Sequence, residues 1–342
     1  RDVSERDLGI QLFGHPYPTP VIAAPVGVLE LAHRDADLAI ARAASTLGIP
    51  YILSTQASVP MEQVAEAMGD GPRWFQLYWS SSDDLVASLV ERAEASGAQA
   101  IVVTLDTHML GWRPRDLDIA YLPFIRGQGI AQYTSDPVFR RLVAERVANP
   151  GPADPRPRVT VEAVRTLRAM TRNVPGGNPR AAVETFLDVF SRSSLTWADL
   201  AFLRDRTSLP IVLKGIQHPD DAGLALDHGV DGIVVSNHAG RQIDGAIGSA
   251  AALPAVVDRV RGRVPVLFDS GVRSGADVFR ALALGASGVM VGRPYAYGLA
   301  IAGAAGAEAV LRNIVAEFDL VLGLSGHRTV AELTPDALAA EG

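Results

Sequence analysis

The sequence predicts an α/β protein closed into a (β/α)8 TIM barrel, and three observations carry that reading. Eight short apolar runs alternate with amphipathic stretches along the 342 residues. Several runs, among them IVVTLD, IVLKG and GIVVSN, are near-continuous and β-branched, as expected of strands buried on both faces. Almost every run ends in polar or small residues: Gly27, Ser54 with Gln56, Gln76 with Tyr78, Thr104 with Asp106, Lys214, Ser236 with His238, Asp269, and Gly292 with Arg293. On count alone an open doubly wound sheet fits equally. It would spread those ends along an edge, whereas a barrel gathers them on the face where its active site lies.

Taken in order, the strand runs fall at 21–26, 51–54, 73–78, 100–106, 210–215, 232–238, 265–269 and 288–292. Helical patterns occupy 83–96, 219–228, 248–260 and 275–284, and Gly48, Gly97, Gly229 and Gly285 stand where left-handed helix caps are expected. A barrel needs about 250 residues. The surplus sits mainly in one excursion after the fourth strand, at about 107–197, with helical pieces at 136–148, 160–172 and 179–191 between Pro/Gly clusters NPGPADPRP and NVPGGNP. Residues 1–342 are therefore read as one barrel domain whose excursion covers the mouth.

Composition narrows the function. The net charge is −7 with no Lys/Arg stripe, which argues against nucleic acid. There is no cysteine, so disulfides, thiolate metal sites and cysteine nucleophiles are excluded. His15, His33, His108, His218 and His228 show no metal-ligand spacing, and no metal is expected. The Ala/Gly-rich stretch 298–310 is short for a membrane span and carries Glu308, which favours a packed helix. A cytoplasmic, non-membrane protein is the expectation. The sequence opens on Arg1, and a preceding segment is expected to be missing from it.

The strongest local motif is Ser236-Asn237-His238-Ala239-Gly240-Arg241-Gln242-Ile243-Asp244, after the sixth strand. A strand-end His with an Arg three residues on offers a base near neutral pH beside a fixed cation. Asp106, at the end of the fourth strand, is placed to orient His238 and favour its protonated form. Arg113, Arg241 and Tyr78 suit a carboxylate, bound by guanidinium forks and a phenol; in isolation Arg113 reads better as a surface ion-pair residue. Lys214 is either a Schiff-base lysine or a counter-charge to an anionic cofactor. The runs DSGVRSG (269–275) and VGRP (291–294) favour the second, because the loops after the last two barrel strands commonly hold a phosphate.

With SNHAGRQ, LKG, DSGVRSGADVFRALALGA and VGRP together, the chain resembles the FMN-dependent 2-hydroxy-acid oxidizing enzymes, the family of glycolate oxidase, lactate oxidase and lactate 2-monooxygenase. The resemblance runs from about residue 1 to 333, interrupted at 149–178. The stretches TLDTHMLGWRPRDL and KGIQHPDDA look most like lactate 2-monooxygenase. It implies FMN as cofactor, His238 as base, Asp106 as its acid, and Arg241, Arg113 and Tyr78 as substrate-binding groups. It implies Lys214 beside the flavin, with Ala24, Pro25, Ser54, Gln76, Thr104 and Ser236 along the ring. Asp269, Gly271, Arg273, Gly292 and Arg293 are implied at the ribityl and phosphate. The implied partners are a small 2-hydroxy acid and O2, in a homo-oligomer, tetrameric by analogy. Decarboxylation follows if the keto acid is held while oxygen reacts; if it leaves first, the products are keto acid and hydrogen peroxide. A dehydrogenase passing electrons elsewhere, and a flavin-binding protein without turnover, are the alternatives. The chain departs from the pattern in several ways, the excursion being longer than its counterpart. Ala239 replaces the usual Gly, Gln56 stands where glycolate oxidases carry Trp, and His108 where the monooxygenase has a bulky aromatic. The family's N-terminal helical segment, with a further active-site tyrosine, has no counterpart here.

Overall fold

The computed structural model describes residues 2–149, 160–174 and 176–339. Two short strands, β1 (Ile10–Leu12) and β2 (His15–Tyr17), form an antiparallel hairpin. The eight parallel strands of a closed barrel follow: β3 (Val21–Ala23), β4 (Tyr51–Ser54), β5 (Arg73–Leu77), β6 (Ile101–Thr104), β7 (Ile211–Ile216), β8 (Gly232–Val235), β9 (Val266–Phe268) and β10 (Gly288–Val291). The ring closes where β10 pairs with β3, Val289 opposite Val21. Every expected run is a barrel strand.

Successive residues of a strand face opposite sides. Ile22, Ile52, Trp74, Val102, Val212, Val234, Leu267 and Met290 pack together inside the barrel. Their neighbours, such as Ala23, Leu53, Phe75, Val103, Leu213 and Val235, pack beneath the outer helices. With both faces buried, no polar alternation remains, which explains the near-continuous apolar runs. Two residues beyond the inward apolar set, the same inner face carries Ser54, Gln76, Thr104, Lys214, Ser236 and Asp269. A polar layer thus lies directly on the apolar one.

The hairpin plugs the opposite, N-terminal end of the strands. Leu12 and Tyr17 join the interior cluster, and the Phe13 ring meets Trp74 edge-on at 5.4 Å. Gly232 makes room for it: a Cβ there would lie 2.9 Å from the Phe13 ring.

The excursion contains the expected helices, Pro137–Ala148, Val161–Asn173 and Pro179–Val189, each started by a side chain (Asp136, Thr160, Asn178) that accepts from the first-turn backbone N–H groups. The first and third share an aromatic cluster with Tyr133 and Phe124, in which Phe186 lies 4.8 Å from Tyr133 and 5.1 Å from Phe124. Arg92, on helix Asp83–Ala95, anchors them through Asp136 and the Gln132 carbonyl. The stretch at 107–113 packs against the loop after β8, where Gln242 donates to the Met109 carbonyl. Residues 129–131 pack against the loops after β3 and β4, the Gly129 N–H donating to Glu30 and the Ala131 N–H to the Ala57 carbonyl. The NPGPADPRP cluster falls largely outside the described residues.

The stretch 298–310 belongs to a longer helix than expected, Arg293–Leu324, whose length and hydropathy match those of a membrane span. Its backbone breaks at Ala302 and Gly303, and Gly298 meets Gly306 so closely that a Cβ on either would collide with the other's carbonyl. Tyr295, Leu299, Leu311 and Phe318 are buried in the outer core.

Candidate active site

The mouth of the barrel holds three groups of side chains. The first is His238 with Asp106, whose Nδ1 and Oδ1 atoms lie 2.9 Å apart. Asp106 follows β6 and His238 follows β8, so β7 lies between them. His238 and Ala239 both adopt left-handed backbone conformations, with φ of 53° and 56°. The Ser270 hydroxyl holds that turn, accepting from the Ala239 N–H at 3.0 Å. Such strained conformations are kept only where surrounding contacts over-determine them. The second Asp106 oxygen, Oδ2, is buried without a hydrogen-bond partner, so the His238 ring is the group positioned to answer this carboxylate.

Tyr78, Arg113 and Arg241 surround this pair. Burial, reinforced by the nearby Asp106 charge, pushes the Tyr78 phenol above its ordinary pKa, so it stays a donor at neutral pH. Arg113 is half-buried, and burial together with Arg241 lowers its pKa. Its side chain reaches the Gln242 amide oxygen at 3.0 Å. Arg241 is half-exposed, with Asp116 at 4.0 Å.

The second group is buried beneath. The Lys214 ammonium lies 2.8 Å from Asp269 and donates to Ser236 Oγ at 2.9 Å; Ser236 in turn donates to Asp269 at 2.7 Å. Burial opposes the Lys214 charge, but Asp269 and Asp106 outweigh it and raise its pKa. Burial likewise opposes the Asp269 charge, and Lys214 with the Ser236 hydrogen bond holds its pKa low. An ammonium has three donors; two are used here. Ser236 Oγ also accepts the His238 N–H at 3.1 Å, which joins this group to the first.

The third group is a row across adjacent strands. Ser54 donates to Gln76 Oε1 at 2.8 Å and Gln76 Nε2 donates to Thr104 at 2.8 Å. Beside it, the buried Tyr295 hydroxyl donates to the Ala24 carbonyl at 2.5 Å, with Pro25 next in the chain.

Gly271, Arg273, Gly292 and Arg293 lie along the loops after β9 and β10. Gly292 caps helix Arg293–Leu324, whose free N–H groups favour an anion. Gly271 has φ of +82° and open space where a Cβ would stand. The guanidiniums of Arg273 and Arg293 are exposed and enter no ion pair among the described residues. Asp269 is engaged by Lys214 and Ser236. The set suits a phosphorylated flavin: uncommitted cations and a helix N-terminus for the phosphate, and a polar row with a buried ammonium for the ring.

Sequence reasoning overlooked Gln242 as a site residue, although it lies inside the quoted motif, and Ser270. Neither type has chemistry of its own to mark it; both show only through their contacts. A cavity of about 220 Å³ is lined by Trp79, Leu105, His108, Trp197 and Leu213.

Comparison with known proteins accords with this geometry. Residues 1–340 match the family model described as FMN-dependent dehydrogenase. The chain is 44% identical over 338 residues, 99% of its length, to the FMN-dependent alpha-hydroxy acid dehydrogenase qulF of Penicillium citrinum, covering 78% of that protein. It is 42% identical to an L-lactate oxidase of Lysinibacillus sphaericus, over 97% of this chain and 78% of the relative. A crystal structure of mandelate oxidase superposes with a TM-score of 0.76 at 35% identity, covering 97% of this chain and 82% of that one. The chain belongs to the FMN-dependent dehydrogenase family and is an FMN-dependent 2-hydroxy-acid oxidoreductase.

Proposed function

We propose that the substrate is a small L-2-hydroxy acid, lactate first, and that the outcome is of the lactate 2-monooxygenase type, oxidative decarboxylation with O2. The observation that carries the reading is the His238–Asp106 pair standing among Tyr78, Arg113 and Arg241, directly above the Lys214 cluster. Asp106 accepts from His238 Nδ1, which leaves the Nε2 lone pair free to take the proton that departs as the substrate is oxidised. The resulting imidazolium is held by the Asp106 carboxylate. Arg113 and Arg241 bind the substrate carboxylate, and the Tyr78 phenol donates one hydrogen bond to it. When bound, FMN supplies the two-electron acceptor. Lys214 supplies the positive charge beside it, Ala24, Pro25, Ser54, Gln76, Thr104 and Ser236 line its ring, and Asp269, Gly271, Arg273, Gly292 and Arg293 hold the ribityl and phosphate end.

A second reading, an oxidase that releases keto acid and hydrogen peroxide, is favoured by the similarity to L-lactate oxidase. Anaerobic mixing of the FMN-loaded protein with L-lactate, followed by air and product analysis, separates them. Flavin bleaching with acetate and carbon dioxide supports the first reading; pyruvate with peroxide supports the second. A flavin that stays oxidised with lactate removes the substrate assignment.

A further inference from the structure

We infer that Gln242 is a positioning residue for this reaction, its amide locking the loop that carries Asp106 and Arg113 against the loop that carries His238 and Arg241. The inference rests on the functional reading above and adds to it the element that sets acid, base and carboxylate-binding groups in one frame.

The Gln242 side-chain nitrogen donates to the carbonyls of Asp106 at 2.6 Å and Met109 at 2.9 Å. Its oxygen accepts from Arg113 Nη2 at 3.0 Å and from the Gly111 N–H at 3.3 Å. A primary amide has two N–H donors and two acceptor lone pairs, so each is committed, and all four contacts fall between residues 106 and 113. Turning the amide over would face N–H against N–H and carbonyl against carbonyl, so its orientation is fixed by the contacts themselves. The loops also touch through their backbones. A Cβ on Gly111 would lie 2.8 Å from the Arg241 carbonyl and the Gln242 Cα, and Arg113 Nε reaches the Arg241 carbonyl at 3.4 Å.

The neutrality of the anchor matters as much as its geometry. Gln242 holds Arg113 without cancelling its charge, which keeps that charge available to a substrate carboxylate. A glutamate at 242 would accept from Arg113 more strongly, neutralise it, and have no N–H for the two carbonyls. The near-isosteric methionine would remove all four hydrogen bonds and add no charge.

The test compares Q242M and Q242E with the parent, each FMN-loaded, in steady-state turnover of the best 2-hydroxy-acid substrate and in amide hydrogen exchange across residues 105–115. The expected result is exchange at least tenfold faster in that segment for both variants, with FMN content and melting temperature close to the parent's. Q242M should lose turnover mainly in kcat, because Asp106 and His238 lose registration. Q242E should in addition raise KM more than tenfold, because Arg113 is neutralised. Parent-like exchange, or parent-like kinetics in both variants, overturns the inference. Should Q242E fold poorly, Q242M decides. A parent that oxidises no 2-hydroxy acid removes the functional reading instead, and the exchange measurement still decides whether Gln242 fixes the loop.

Discussion

Gly215 keeps open the space that the Asp106 side chain fills: a Cβ on Gly215 would lie 3.0 Å from the Asp106 Cβ and 3.1 Å from its carboxyl carbon. The same glycine has φ of +110°, which L side chains rarely adopt. G215A should therefore displace Asp106 from His238 while leaving Lys214, on the preceding residue, in its pair with Asp269. Flavin reduction by substrate should slow by about 10²–10⁴-fold, the range set by losing a positioned acid–base group, with FMN still bound. D106N should fall in the same range. Stopped-flow absorbance under anaerobic conditions reads both.

The buried Lys214–Asp269 pair predicts an asymmetry between single and double substitution. K214M leaves the Asp269 carboxylate buried without its cation, which should cost about 3–5 kcal/mol of stability. The double variant K214M/D269L removes the stranded charge and should recover most of that loss. Urea unfolding of the FMN-free forms measures it; equal stability of the single and double variants would contradict the prediction.

Ala239 occupies a left-handed conformation, φ 56° and ψ 35°, with a side chain that gains nothing from it. A239G should relieve the strain and raise stability by about 0.5–1 kcal/mol, after allowance for glycine's larger unfolded entropy. A higher urea midpoint with an unchanged slope is the expected reading.

Asp37 is fully buried, accepting from the Tyr51 hydroxyl at 2.9 Å and the Ser58 N–H at 2.7 Å. Burial raises its pKa from the ordinary 3.8 to about 6, against the pull of those hydrogen bonds. The folded state then binds this proton more tightly than the unfolded chain does. Its contribution to stability is fully present below pH 3.8, declines as pH rises toward 6, and is constant above. The span is about 3 kcal/mol at most. D37N, which has no titrating carboxyl, should lack this component when stability is followed from pH 4 to pH 7.

The barrel was legible because strands buried on both faces leave uninterrupted β-branched runs, and because the polar residues at their ends share one register. His238, Asp106 and Lys214 stood out for the same reason: each follows an inward apolar residue by two or four positions. The β1–β2 hairpin was not legible. Its strands are short and half-exposed, and its turn is Phe13-Gly14, with φ of 52° and 81°, where an Asn-Gly or Asp-Gly signal would be looked for. Gln242 was hidden differently. An amide's significance lies entirely in what surrounds it, and its four contacts come from a loop more than a hundred residues earlier. The excursion's helices were readable from their caps and periodicity, but the aromatic cluster around Phe186 that packs them together is announced by no local pattern.

The seam between β3 and β10 joins Val21 to Val289, and early and late residues meet elsewhere too, Arg6 tied to Asp319 and Asp7 to Thr329. During synthesis β3 therefore waits, one edge unpaired, while almost all of the remaining barrel is translated. An unpaired strand edge is a template for other chains, and closing so long a loop is entropically slow. The mature ring has no free edge at all. Its hazard is confined to birth, and soluble yield should depend on shielding the nascent chain until β10 has left the ribosome.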